Sequence, residues 1–127
     1  MSDFLYGTDI PDAGKHKTPL VLKCRIEQEA ELAIKVHIVS GKSTLVIRAD
    51  GKEIYRKDFI CGPGEGEWKE AVYKKEWDVY QNIFDKVYTA KIPAGTREIV
   101  VENAEGDWMI FSEIRIKPFP GAPGGEA

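Results

Sequence analysis

From residue 18 onward the chain alternates apolar with polar residues, and a period of two suits a half-buried strand and not a helix. Leu20, Leu22, Cys24 and Ile26 alternate with Val21, Lys23, Arg25 and Glu27, and Leu32, Ile34, Val36 and Ile38 with Ala33, Lys35, His37 and Val39. Each run predicts one strand with a core face. After Ser40-Gly41-Lys42 the chain resumes as STLVIRA, and Asp50-Gly51 then supplies the left-handed residues of a tight hairpin before KEIYRKDFI. Order returns at VYTAKI, followed by a turn at Pro93-Ala94-Gly95, then TREIVVEN and a turn at Ala104 to Asp107. The last strand is expected to put Trp108, Ile110, Ser112, Ile114 and Ile116 on one face and Met109, Phe111, Glu113, Arg115 and Lys117 on the other, with Trp108 in the core or at its rim. Short strands separated by turn signals predict an all-β sandwich or barrel.

One segment escapes this pattern. CGPGEGEW, residues 61 to 68, has three glycines and a proline and reads as a long loop. Beyond it Trp77, Tyr80, Phe84 and Val87 are spaced for a helical turn or two, while WKEAVY looks strand-like, so residues 69 to 88 are expected to form a broad loop with short elements.

Length and charge narrow the partners. The 127 residues suit one domain, taken as 1–117, and the tail PFPGAPGGEA, 118–127, is too rich in proline and glycine to pack and reads as a linker to a neighbour. With 18 basic and 21 acidic residues the net charge is -3, which offers no footprint for nucleic acid or an anionic membrane. No apolar run approaches the roughly 18 residues of a membrane span. The start MSDFLYGTDI reads without an export signal, and Met1-Ser2 equally suits a start placed on part of a longer secreted chain. Cys24 and Cys61 are expected to be two separate small thiols. His16 and His37 lack nearby second ligands, so a zinc site is not expected.

Catalysis is not expected either. Acidic pairs such as Glu76 with Asp85, or Glu65 with Glu67, are abundant by chance among 21 carboxylates, no GxSxG motif occurs, and nothing supports Cys61 acting with His16 or His37.

Two stretches resemble a known family. GEGEWKEAVYKKEWDVYQNIFDKVY (Gly64 to Tyr88) and IPAGTREIVVENAEGDWMIFSEIRI (Ile92 to Ile116) are similar to the C-terminal β-sandwich modules of bacterial cellulase-like glycoside hydrolases of family 5. The likeness spans roughly residues 4 to 117; the second stretch bears on fold, the first on the hydrolase-associated group. It implies a jelly-roll β-sandwich, galactose-binding-domain-like, that is noncatalytic, extracellular and attached to a glycoside hydrolase.

Such a module recognises sugar with flat rings, which stack on the apolar face of a pyranose, and with planar polar groups that pair with hydroxyls. The candidates are Trp68, Trp77, Tyr80 and Tyr88 as rings, and Glu67, Gln81 and Asn82 as polar partners, with Glu65, Asp85 and Lys86 nearby. For any single ring, core packing is the default reading. Trp68, after a polar glycine loop, is expected to be the exposed one, and Trp77 and Phe84 to pack inside. Gln81 and Asn82 are read equally as ligand groups or as stitches for irregular backbone. No cofactor is expected, apart from a structural calcium of the kind many such jelly rolls hold, for which Glu27, Glu29, Glu31 and Asp107 are candidates although no DxDxDG loop occurs.

The expected function is therefore tethering of an appended hydrolase to a β-glucan, cellulose or a related plant polysaccharide. The alternative is a structural sandwich that packs on the catalytic domain without sugar affinity of its own, its aromatic segment forming the interface.

Overall fold

A computed structural model of the protein describes the backbone of residues 4–6 and 19–118 and the side chains of 19–117. His16 and nearly all of the expected linker lie outside the described residues. The strands are β1 (Phe4–Tyr6), β2 (Leu20–Lys23), β3 (Ala30–Ser40), β4 (Lys42–Ala49), β5 (Lys52–Ile60), β6 (Tyr73–Lys74), β7 (Val79–Ile92), β8 (Glu98–Gly106) and β9 (Trp108–Pro118). They form two antiparallel sheets packed as a sandwich. One runs β1-β9-β3-β7, with two-residue β6 added at its edge; the other runs β2-β8-β4-β5.

The alternation in the sequence becomes the core. Leu32, Ile34 and Val36 of β3, Leu45 and Ile47 of β4, Phe59, Ile92, Ile99, Val101 and Met109 are sealed between the sheets. Each such side chain contributes about 1.5–3 kcal/mol by leaving water. Asp50 and Gly51 both take positive φ, 49° and 83°, and close the β4–β5 hairpin as expected. The Asp50 carboxylate then accepts the backbone N–H groups of Arg97 and Glu98 at 2.9 Å each, tying the hairpin to β8.

In the sheet that contains β3, three bulges alter the faces. In β3 the alternation holds through Val36, an irregularity at His37 follows, and Val39 rather than Ile38 turns inward. In β9 the register passes from Lys35↔Glu113 to Val36↔Phe111, leaving Ser112 as an extra residue. Met109 and Phe111 are therefore buried, and Trp108 and Ile110 are only half-buried on the other face. The single-faced reading of the last strand is corrected by that one inserted residue. The third bulge explains the segment before Tyr88. Phe84 and Asp85 together oppose His37, and Asp85 has φ 45°. A kinked 14-residue strand, not a loop with helical turns, carries Tyr80, Phe84 and Tyr88. The apparent helical spacing mixes Trp77 of the preceding turn and Val87 of the exposed face with the inward Tyr80 and Phe84.

At this bulge Asp85 Oδ1 lies 2.5 Å from His37 Nδ1. The hydrogen bond from His37 holds the Asp85 carboxyl below its ordinary value, against a smaller opposing effect of burial. A carboxyl lowered in the folded state stabilises the fold above its unfolded-state pKa of about 4 and loses that contribution as pH falls through the lower folded value. Asp85→Asn should thus be less stable than the wild type at pH 7, with the gap in urea midpoint closing below about pH 4. A gap constant from pH 7 to pH 2.5 would contradict this assignment.

Candidate functional site

The start of β7 carries an exposed aromatic hairpin. Tyr73 and Lys74 of β6 pair with Tyr80 and Val79. The intervening turn closes through Trp77 N–H to the Lys74 carbonyl, 3.2 Å, and Asp78 N–H to the Lys75 carbonyl, 3.3 Å, with Asp78 at φ 51°. Cross-strand pairing sets Tyr73 and Tyr80 on one face, with ring centroids 5.1 Å apart and planes tilted by 51°. The Tyr73 hydroxyl donates to the Asp78 carboxylate, which raises the Tyr73 phenol above its usual range and fixes its ring. Trp77 stands at the tip, 73 % exposed, and Tyr73 is 48 % exposed.

The hairpin is held to the sandwich by the chain before it. Glu70 bridges Ile83, and Gln81 N–H donates to the Val72 carbonyl at 2.7 Å. Asn82, fully buried, accepts the Val72 N–H at 3.0 Å and donates to the Gly62 carbonyl at 3.1 Å. Its amide replaces the strand partner that irregular backbone lacks.

The seven candidate residues separate into five places. Trp77 and Tyr80 share the hairpin with Tyr73, which sequence reasoning overlooked although WKEAVY carries strand periodicity. Trp68 is not the open ring. It packs on the core, edge to face with Phe84 at 6.2 Å, donates its indole N–H to the Gly64 carbonyl at 2.9 Å, and lies against Gly66. Trp77 and Trp68 thus exchange their expected roles, while Phe84 is buried as expected. Asn82 is a stitch. Gln81 sits beside Tyr80 and so points to the opposite face of β7, where it donates to Ser40 Oγ at 3.4 Å. Ser40 donates onward to Asp107 at 2.7 Å.

Glu67 and Tyr88 form the fifth place. Tyr88 is buried, edge to face with Phe59 at 5.2 Å, and Glu67 Oε2 lies 2.9 Å from Lys57 Nζ and 3.9 Å from Lys86 Nζ. No protein-family model matches this chain, and no curated protein or solved structure is significantly similar to it.

Two further expectations meet the geometry. Glu29 pairs with Lys91 at 3.4 Å, Glu31 with Lys117 at 3.7 Å, and Asp107 with Ser40; among the described residues no group of three potential ligands gathers as a metal site requires. Cys24 and Cys61 are separate free thiols, the latter donating to the Val39 carbonyl at 3.2 Å, and burial pushes both above the ordinary thiol value.

Tilted rings flanked by a carboxylate and lysines can hold the apolar face of a sugar ring while bonding its hydroxyls.

Proposed function

We propose that the protein is a noncatalytic, extracellular saccharide-binding module that holds an appended glycoside hydrolase on a β-glucan or related plant polysaccharide through the β6–β7 hairpin. The observation that carries this reading is Trp77, 73 % exposed, beside the Tyr73–Tyr80 ring pair. Large rings left in water at a turn tip cost solvation free energy that a ligand recovers. Because the two tyrosine planes are tilted by 51°, they suit a single glycan chain better than a flat crystalline surface.

The strand order supports a jelly-roll winding. The pairs β1·β9, β2·β8, β3·β7 and β4·β5 are nested as in one long hairpin, and β9·β3 and β8·β4 are the lateral contacts that form when that hairpin is rolled into two sheets. Galactose-binding-like modules share that architecture.

Affinity electrophoresis in gels of soluble β-glucan, xylan and mannan tests the reading. Trp77→Ala and Tyr73→Ala should each weaken β-glucan retardation about tenfold, the loss of roughly 1.4 kcal/mol of stacking. Wild-type mobility unaffected by every polysaccharide removes the sugar reading. Ile60 favours a second one: it is 72 % exposed, and an aliphatic side chain gives a pyranose nothing to stack on. If the sandwich is instead a structural support for a catalytic domain, tryptophan fluorescence should respond to that domain and stay silent with oligosaccharides.

A further inference from the structure

Between the edge strands β5 and β7, on the side of the sandwich that loop 61–72 covers, two cations converge on one carboxylate oxygen. Lys57 Nζ of β5 lies 2.9 Å and Lys86 Nζ of β7 lies 3.9 Å from Glu67 Oε2. Both ammonium groups also sit over the Tyr88 ring, 5.5 and 5.8 Å from its centroid, and Lys57 lies 5.4 Å from that of Phe59. Contact with ring faces strengthens a cation's hold on its place without neutralising it. The floor of this cluster is Tyr88, 8 % exposed, whose sealed hydroxyl faces Glu67 without completing a well-formed hydrogen bond to it. An unpaired buried donor costs about 1–3 kcal/mol, and its persistence beside two lysines points to an acceptor that the resident carboxylate satisfies poorly.

Glu67 itself is loosely held. It follows Gly62, Pro63, Gly64 and Gly66, and the exposed stretch 63–66 is fastened through the Trp68 ring, which bonds the Gly64 carbonyl and packs on Gly66. Swinging this stretch aside would free both ammonium groups and the phenol together.

We propose that Lys57, Lys86 and Tyr88 form a binding site for a carboxylate ligand, of the kind a uronic acid presents, and that Glu67 occupies it as an internal, displaceable occupant. That the carboxylate is borne by a sugar rests on the saccharide reading above, but the site is separate from the Tyr73–Trp77–Tyr80 hairpin. Burial first, and then the charge of Glu67 and a hydrogen-bond interaction with it, hold the Tyr88 phenol above its usual range, so it meets a ligand as a neutral donor. An occupant tethered on its own chain competes at an effective concentration of millimolar order or higher, so external carboxylates bind the wild type weakly.

The test uses the full chain and the Trp68 indole N–H resonance, which reports on the loop next to Glu67. In Glu67→Gln, methyl glucuronide should shift that resonance with an apparent affinity about tenfold or more above the wild type's, because the tethered competitor is gone. Methyl glucoside, identical but for the carboxylate, should leave it unmoved. Adding Lys57→Met with Lys86→Met should abolish the shift, and Glu67→Asp, with a shorter reach, should fall between wild type and Glu67→Gln. No gain in Glu67→Gln, a shift with the neutral glycoside, or a shift indifferent to the two lysines overturns the proposal. Should Glu67→Gln lose its native spectrum, the Glu67→Asp titration alone decides, since an affinity no greater than the wild type's also overturns it. Trp77→Ala, which tests the hairpin, should leave these titrations unchanged, so the two readings fail separately.

Discussion

Gly106→Ala is expected to destabilise the protein by roughly 4 kcal/mol or more, enough to leave little folded chain at 37 °C. The cause is a collision as well as a dihedral. Gly106 has φ 99°, and a Cβ there would stand 2.2 Å from the Lys42 carbonyl oxygen, 2.8 Å from its carbon and 3.1 Å from Ser43 Cα. All three are backbone atoms of the facing strand, and no rotamer can move them aside. Separating the strands would forfeit the Asp107 N–H bond to the Lys42 carbonyl, 2.7 Å, and with it the turn that presents the Asp107 carbonyl to Asn103 Nδ2 at 2.9 Å. Gly51→Ala is the control. It shares a positive φ, 83°, but nothing lies within 4 Å of its added Cβ, so it should cost only about 1–2 kcal/mol of left-handed strain. Urea unfolding of both variants separates the two contributions, and equal losses would mean that the close approach of β8 to β4 costs nothing.

That turn lies at the boundary of what the sequence makes readable. Period-two alternation needs only side-chain identity, so β3 through Val36, the β4–β5 hairpin and the existence of β9 follow from it. A bulge has no such signature. His37, Ser112 and Asp85 are ordinary strand-surface residues, and each acts by being one residue too many relative to a partner strand that sequence alone does not assign. In β3 and β9 the faces are reversed beyond the bulge, which is why Ile38 gives way to Val39 inside and why Met109 rather than Trp108 faces the core.

The two tryptophans sit contrary to expectation for a related reason. A glycine loop reads as exposed, yet Gly66 is what allows backbone to press on the Trp68 ring, where any Cβ would come within 2.6 Å of the indole. Trp77 heads a run of helix-compatible spacing with Tyr80 and Phe84, and the pairing of Tyr73 with Tyr80 puts it in the turn and turns it outward. Of the candidate site the residue types were legible, rings and amides in one segment, but not which of them the sandwich would consume. Asn82 and Trp68 went to structure because the loop had unpaired backbone and apolar surface to satisfy.

Asn82→Leu should therefore cost about 3 kcal/mol, and should do so locally. Leucine matches the volume but leaves the Val72 N–H and the Gly62 carbonyl without the partners they now have at 3.0 and 3.1 Å. Desolvated groups with no substitute at hand carry the penalty, and the backbone recovers part of it by letting water in. Val72 immediately precedes β6, so water entering there loosens the strand that holds Tyr73 against Tyr80. Amide hydrogen exchange should rise across residues 62–74 while β3, β4 and β8 keep their protection. Val39→Ala provides the comparison. Val39 opposes Asn82 in the same register and is equally buried, but it bonds no loop through its side chain. Its truncation should lower global stability without selective exchange in 62–74. If both variants loosen the loop alike, or neither does, the amide of Asn82 is not what fastens the aromatic hairpin to the sandwich, and the hairpin must owe its place to the backbone bonds of residues 69–72 with β7.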